Sequence, residues 1–402
     1  MALAMRKPLI VLISILAILA TGAQFIVNKP YAAFDEQPAG WASTTASNDL
    51  AGSIATFSQL SSQVFLSIND YSRVVAYASK AFMATRYADG GNKEEASAAF
   101  FAVVHELVPN ENYRSTLPKL KGNGNSKIRA NESITLASQD GYSKWPLEPV
   151  VFTSPLNLGP EKKLYSWAPI AINGPELERS WGELQSIVST DCEVPPPPLQ
   201  SLDQLLQSAK ATEKARDTLD AHPDSDELTS LGFEYVGGPN TRTEPSQLML
   251  QILANAAIDN KLSERETDKM LATAAMAFHE ALIKAWKAKF TYLLANPLAL
   301  DTDTLPLVVA STPSYPSEHI TITKVAMDIL SKTVSNAKPR IEMSGSLISV
   351  PTTRILPSPS ALVGEVGALL KLLGMVYDFD IAASEKLGSC VATSVTEGLN
   401  YE

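Results

Sequence analysis

Helical periodicity runs through nearly every apolar stretch of this chain, and it restricts the fold more than any other property. Apolar residues recur in the i, i+3, i+4 manner from Val64 to Tyr87, and again from Ala96 to Val108 after the Gly90-Gly91-Asn92 break. That spacing lines up one face of an α-helix. The pattern resumes over Leu199 to Leu219, Pro245 to Ile258, Ser263 to Leu294 and Ser317 to Val334. Two further helices are expected, one starting at Ser358-Pro359, a serine cap with proline at the first helical position, and one from Asp380 toward Leu399. Only residues 341–356, with Ile341, Met343, Leu347, Ile348 and Val350, alternate, which predicts a short strand or hairpin. Residues 109–198 are rich in Pro, Gly, Asn and Ser and read as irregular, with Pro195 to Pro198 a stiff connection. The expected fold is an all-α helical bundle with at most a short β-hairpin.

Composition agrees with a globular chain. At 402 residues, with 45% hydrophobic and 19% charged, it can bury a full core and is neither disordered nor collagenous. Residues 1–33 carry Arg6 and Lys7 ahead of an uninterrupted apolar run from Leu9 to Ala20, closed by Thr21-Gly22-Ala23. This reads as a secretory signal cleaved after Ala23 or Ala33. The alternative is a retained anchor over residues 9–27, since about 20 apolar residues span a bilayer. Residues 34–402 are then one domain, located outside the cytoplasm.

The formal charge is −10, from 33 basic and 43 acidic residues, and −12 without Arg6 and Lys7. Such a balance excludes nucleic acid as a natural partner and disfavours anionic membrane. Cys192 and Cys390 are the two cysteines, and their spacing leaves open a disulfide or two buried thiols. Neither has a neighbouring histidine or second cysteine, so no zinc site is expected.

Three segments carry the chemical signal. The octet Thr312-Pro313-Ser314-Tyr315-Pro316-Ser317-Glu318-His319 frames a serine and a histidine at a helix start. Upstream lies Trp286 to Pro297, with Lys289 and Asn296; downstream lies Gly374-Met375-Val376-Tyr377-Asp378-Phe379-Asp380, trailed by Leu387-Gly388. In this order they resemble the motifs of the vanadium-dependent haloperoxidases and type 2 phosphatidic acid phosphatases: W-x-x-K-Y-x-Y-x-x-x-R-P, P-S-G-H and G-G-I-H-Y-R-F-D, spread here over residues 285–390. Weaker similarities are Ser72-Arg73, Trp167-Ala168-Pro169, Trp181-Gly182, Arg354 and Glu365.

The resemblance implies a cage of cationic and hydrogen-bonding groups around vanadate or a transferring phosphoryl group, where preorganised donors stabilise spread negative charge. Lys289, Ser317 and His319 match cage positions. Asn296 and Leu370 stand where the family has arginines, and Val376 where it has the histidine that binds vanadium or attacks phosphorus. No histidine follows His319, so no slip of alignment restores that group. Glu318 replaces the glycine of P-S-G-H. At an effective dielectric near 20, a carboxylate about 4 Å from an oxyanion repels it by roughly 4 kcal/mol. We expect Glu318 to pair with Lys289 or His319 instead. Ser317 as an ordinary helix cap and Lys289 as a C-terminal helix cation are the plain readings.

No glycine-rich phosphate loop, H-E-x-x-H or G-x-S-x-G occurs. His279-Glu280 lies on a helical face where packing is the ordinary role, and Asn131-Glu132-Ser133 matters only on a eukaryotic secretory route. The expected function is therefore an exported haloperoxidase-like protein with a degenerate anion site of Lys289, Ser317, Glu318 and His319. It would bind a protein partner or self-associate, with no cofactor and no resident metal. The alternatives are an active enzyme using vanadate or phosphate, its cage rebuilt with Arg340 or Arg354, and a subunit of an extracytoplasmic assembly.

Overall fold

The computed structural model describes residues 49–61, 67–108, 114, 116–118, 120–142, 156–158, 179–221, 223–236, 244–300, 312–343 and 352–399. The leader region 1–33, Trp167-Ala168-Pro169 and residues 344–351 of the expected hairpin lie outside them. Eleven α-helices occur among the described residues: α1 Leu50–Ser61, α2 Ile68–Met83, α3 Lys93–Leu107, α4 Gly124–Gln139, α5 Leu202–Asp220, α6 Ser225–Val236, α7 Pro245–Asp259, α8 Glu264–Tyr292, α9 Glu318–Thr333, α10 Pro359–Leu372 and α11 Asp378–Gly398. Strands β1 Arg340–Met343 and β2 Thr352–Ile355 pair antiparallel, Arg340 opposite Ile355. The all-α expectation and the small hairpin both hold.

Helix α8 organises the rest. Ser263 caps it, accepting the Glu266 N–H, while the Glu266 carboxylate accepts the Ser263 N–H, which satisfies two donors that a helix start leaves open. It ends where Leu293 turns left-handed (φ 51°) and its N–H meets the Lys289 carbonyl. Between these ends nearly every side chain from Met270 to Lys289 is buried. A helix apolar on all sides must be enclosed, and α1, α2, α7, α9 and α11 pack around it. Each fully buried Leu, Phe or Met there contributes about 1.5–3 kcal/mol.

Two glycines fix close approaches. A Cβ at Gly182, in the 3-10 turn Arg179–Glu183, would stand 2.4 Å from the Lys287 backbone nitrogen. At Gly388 it would lie 2.8 Å from the Thr321 carbonyl, so the Leu387-Gly388 pair lets α11 lie against α9.

Three helices depart from the sequence expectation. α4 falls inside residues 109–198, which read as irregular, and α1 and α6 were not predicted. In α4 the buried positions are Ser126, Ala130, Ser133 and Ala137, a stripe of small residues with almost no hydropathy contrast. Its start at Gly124 is set by Asn123, whose side chain accepts the Ser126 N–H. The Gly-Asn-Gly-Asn sequence is thus a helix cap rather than a loop.

Cys192 and Cys390 form a disulfide (S–S 2.06 Å) between α11 and the extended segment that follows the 3-10 turn. Helix α8 holds that segment by its backbone. Glu280 accepts the N–H groups of Ile187 and Val188, Lys284 donates to the Thr190 carbonyl, and the Tyr292 hydroxyl donates to Val194. The Tyr315 hydroxyl then donates to Pro195. The segment from Ile187 to Pro195 is thus held along α8 and ends at the octet.

Candidate functional site

The end of α8, the octet and the α10–α11 corner meet around Lys289. Its ammonium is buried at 2% exposure, which calls for partners on every N–H. It donates to the carbonyl of Pro313, to the carbonyl of Ser314 (3.3 Å) and to Glu318 Oε2 (2.9 Å). A lysine has three donors, so these acceptors use its full capacity. Asn296 turns its amide to the Thr312 carbonyl (3.0 Å) and so also serves the octet backbone.

Glu318 opens α9 and stands between two cationic or potentially cationic groups. Beyond Lys289, its Oε1 lies 3.7 Å from His319 Nδ1. Burial pushes the Glu318 carboxyl up, but the Lys289 ammonium, then His319, outweigh that and hold it below the ordinary value. His319 Nε2 faces the Val236 carbonyl at 3.1 Å, so that nitrogen carries the proton. Burial pulls the His319 pKa down against the attraction of Glu318. The pair expected for Glu318 is formed with Lys289, while His319 Nδ1 lies beside the carboxylate at a distance longer than a hydrogen bond.

The plain capping role for Ser317 is not what the structure shows. Its side chain makes no cap bond, and its buried Oγ has no hydrogen-bond partner. Its backbone N–H instead donates to Ser384 Oγ of α11 (2.9 Å).

Asp380 is the residue that sequence reasoning missed. It is fully buried, takes a short hydrogen bond from Ser314 Oγ and accepts the Tyr377 N–H at 3.0 Å. Burial raises its pKa to about 7. The signal was available: an acid three residues after Tyr377, at a helix start, is the pattern of a carboxylate that reaches back to the chain. Around it, Tyr315, Tyr377, Phe379 and Leu294 form a small apolar cluster, and Tyr377 donates to the Ala295 carbonyl (3.0 Å).

The other matched positions are apolar and inside. Leu370 is 0% exposed and Val376 3%, both in the main core; the Val376 carbonyl accepts from Thr212 of α5 at 3.3 Å. Arg340 is paired with Asp259 and Glu342, and Arg354 grips Glu365 with both nitrogens (2.5 and 2.7 Å). Neither arginine is brought to Lys289 by these contacts. His279 is fully buried, with the Tyr77 and Trp181 rings 5.8 and 6.0 Å away, and burial lowers its pKa to about 3.

Solved structures with the same arrangement of helices are known. A bacterial vanadium-dependent iodoperoxidase is similar over 87% of this chain and 96% of its own, with a TM-score of 0.72 and 17% identity. The holo form of a bacterial vanadium-dependent chloroperoxidase matches over 84% of this chain and 92% of its own, with a TM-score of 0.59 and 13% identity. The apo form of a bacterial chloroperoxidase of this type gives 83%, 96%, 0.59 and 11%. No family model and no curated protein matches the sequence. The chain therefore has the all-α fold of the vanadium-dependent haloperoxidases.

The residues at the matched positions do not fit vanadate. Lys289 is saturated, a carboxylate sits among the donors, and Leu370 and Val376 offer neither charge nor a ligand atom. No cluster of three or more His, Cys, Asp or Glu able to hold a metal ion occurs among the described residues.

Proposed function

We infer that this chain is an exported protein of haloperoxidase fold that does not run oxyanion chemistry and works by binding or as a structural element. The observation that carries this reading is Val376. The role that the resemblance assigns to a histidine at that position needs a nitrogen, and an isopropyl group packed at 3% exposure supplies none. Fold alone does not restore a missing site. Export is supported by the Cys192–Cys390 disulfide, a bond that persists in oxidising compartments. No helix among the described residues is long and apolar enough to cross a membrane.

The test is turnover by the purified protein, loaded with orthovanadate, on iodide, bromide and chloride with peroxide, and without vanadate on phosphate monoesters. The expected result is the same background rate as a Lys289→Met variant. Turnover at least tenfold above that variant overturns the reading.

A further inference from the structure

Among the described residues, the side chains of Ser67, Asn92, Asn123, Ser263 and Ser358 each close the helix start that follows them. The start of α9 is different. Ser317 leaves the end uncapped and its buried hydroxyl unpartnered. What lies there is the Glu318 carboxylate, bonded to its own backbone N–H, 2.9 Å from Lys289 and 3.7 Å from His319. An ammonium and N–H groups at a helix N-terminus are the surroundings that small anions select. Here the anion is covalently part of the chain.

The geometry points to Glu318 as a tethered anion: its carboxylate fills an oxyanion cradle formed by the Lys289 ammonium and the first turn of α9. Removing that carboxylate leaves a cradle for a small free oxyanion. This rests on the non-catalytic reading above, and with the carboxylate in place no free oxyanion is expected to bind the intact protein. Asp380, whose buried carboxyl interacts with both Lys289 and Glu318, limits the negative charge that the vacated cradle tolerates. A singly charged ligand such as formate is therefore favoured over a doubly charged one.

The experiment follows thermal unfolding and calorimetric binding of the full chain and of Glu318→Gly, titrated with formate, acetate, orthophosphate or orthovanadate. Chloride at equal ionic strength serves as the control. Glu318→Gly is expected to melt below the parent protein and to recover with rising formate, since a ligand of the folded state stabilises by mass action. Formate is expected to bind the variant at least tenfold more tightly than it binds the parent, and orthophosphate more weakly than formate. Adding Lys289→Met is expected to abolish the response.

A folded Glu318→Gly protein that responds to no oxyanion overturns the tethered-anion inference and leaves the non-catalytic reading standing. Orthovanadate binding by the parent, as tight as by the variant, overturns the tethered-anion inference, and turnover by the vanadate-loaded parent overturns the non-catalytic reading separately. If Glu318→Gly does not fold in plain buffer, refolding yield with formate is the readout. Yield equal in formate and chloride, together with no anion response from a folded Glu318→Gln protein, also overturns the inference.

Discussion

Two buried ion pairs of this molecule are built differently. Arg73 of α2 meets Asp140 at the end of α4 (2.7 Å), donates also to the Ala137 carbonyl and lies 4.2 Å from the Tyr142 ring centre. Asp140 in turn accepts the Tyr142 N–H (2.9 Å). The planar guanidinium thus fixes backbone, carboxylate and ring in one geometry. Lys289 and Glu318 join the end of α8 to the start of α9 through a point charge, with carbonyls on one side and a single carboxylate on the other. The first pair is a clamp between distant segments. The second is charge neutralisation inside a turn that proline and Ser314 already shape. The difference teaches that what a buried pair specifies depends on how its partners are held: Arg73 and Asp140 fix a carbonyl, an N–H and a ring, whereas Lys289 anchors two neighbouring carbonyls of one turn.

The largest test of that contrast is replacement. Either Arg73→Met or Lys289→Met leaves a buried carboxylate unpaired and is expected to cost about 3–5 kcal/mol in urea denaturation. The double variant Lys289→Met/Glu318→Leu is expected to recover part of the loss, since the carboxylate leaves with the ammonium while the Pro313 and Ser314 carbonyls lose a donor. Arg73→Met/Asp140→Leu is expected to recover less, because the Tyr142 N–H and the Tyr142 ring lose their partners in addition to the Ala137 carbonyl. Equal recovery at both sites removes the distinction.

A second test separates Asp380 from the pair beside it. A carboxyl whose folded pKa is about 7, against an ordinary 3.8, holds its proton more tightly when folded. Its stabilising contribution is full below pH 3.8 and is lost as pH rises to about 7. Asp268, also raised to about 7 by burial, declines over the same window, whereas His279, lowered to about 3, loses stability as pH falls. The difference between parent and Asp380→Asn isolates one term: the variant is expected to gain relative stability from pH 4 to pH 8, measured by denaturation at each pH. A flat difference shows that Asp380 is ionised throughout.

The smallest effects concern the helix starts. Ser263→Ala is expected to cost about 1 kcal/mol, the worth of a functioning cap. Ser317→Ala is expected to be neutral or stabilising, because it removes a buried hydroxyl that makes no hydrogen bond. Equal losses in thermal unfolding show that Ser317 caps α9 after all.

Much of the fold was legible because apolar periodicity and caps agree. Pro245, Ser263 and Ser358-Pro359 each mark a helix start that the structure has within a residue. The hairpin was legible from alternation around Ile341. The α4 helix was not, since serine and alanine bury without announcing a face. In the candidate site, Lys289, Glu318 and His319 came together through a motif whose proline frame survives. For Asp380 the reach back to Tyr377 was legible from spacing, but the bond from the Ser314 hydroxyl, 66 residues earlier, was not, because no local pattern records a contact of that separation. The disulfide was undecidable for the same reason, with 198 residues between its cysteines.

That bond makes a closed ring of the chain from Cys192 to Cys390, with two open tails. The octet, Lys289 and all of α8 belong to the ring. A single peptide-bond cut anywhere between residues 193 and 389 therefore yields two pieces that migrate as one molecule until reductant is added. A cut before residue 192 releases a fragment at once under denaturing conditions. The same protein carries one half that survives nicking as a linked whole and another that does not.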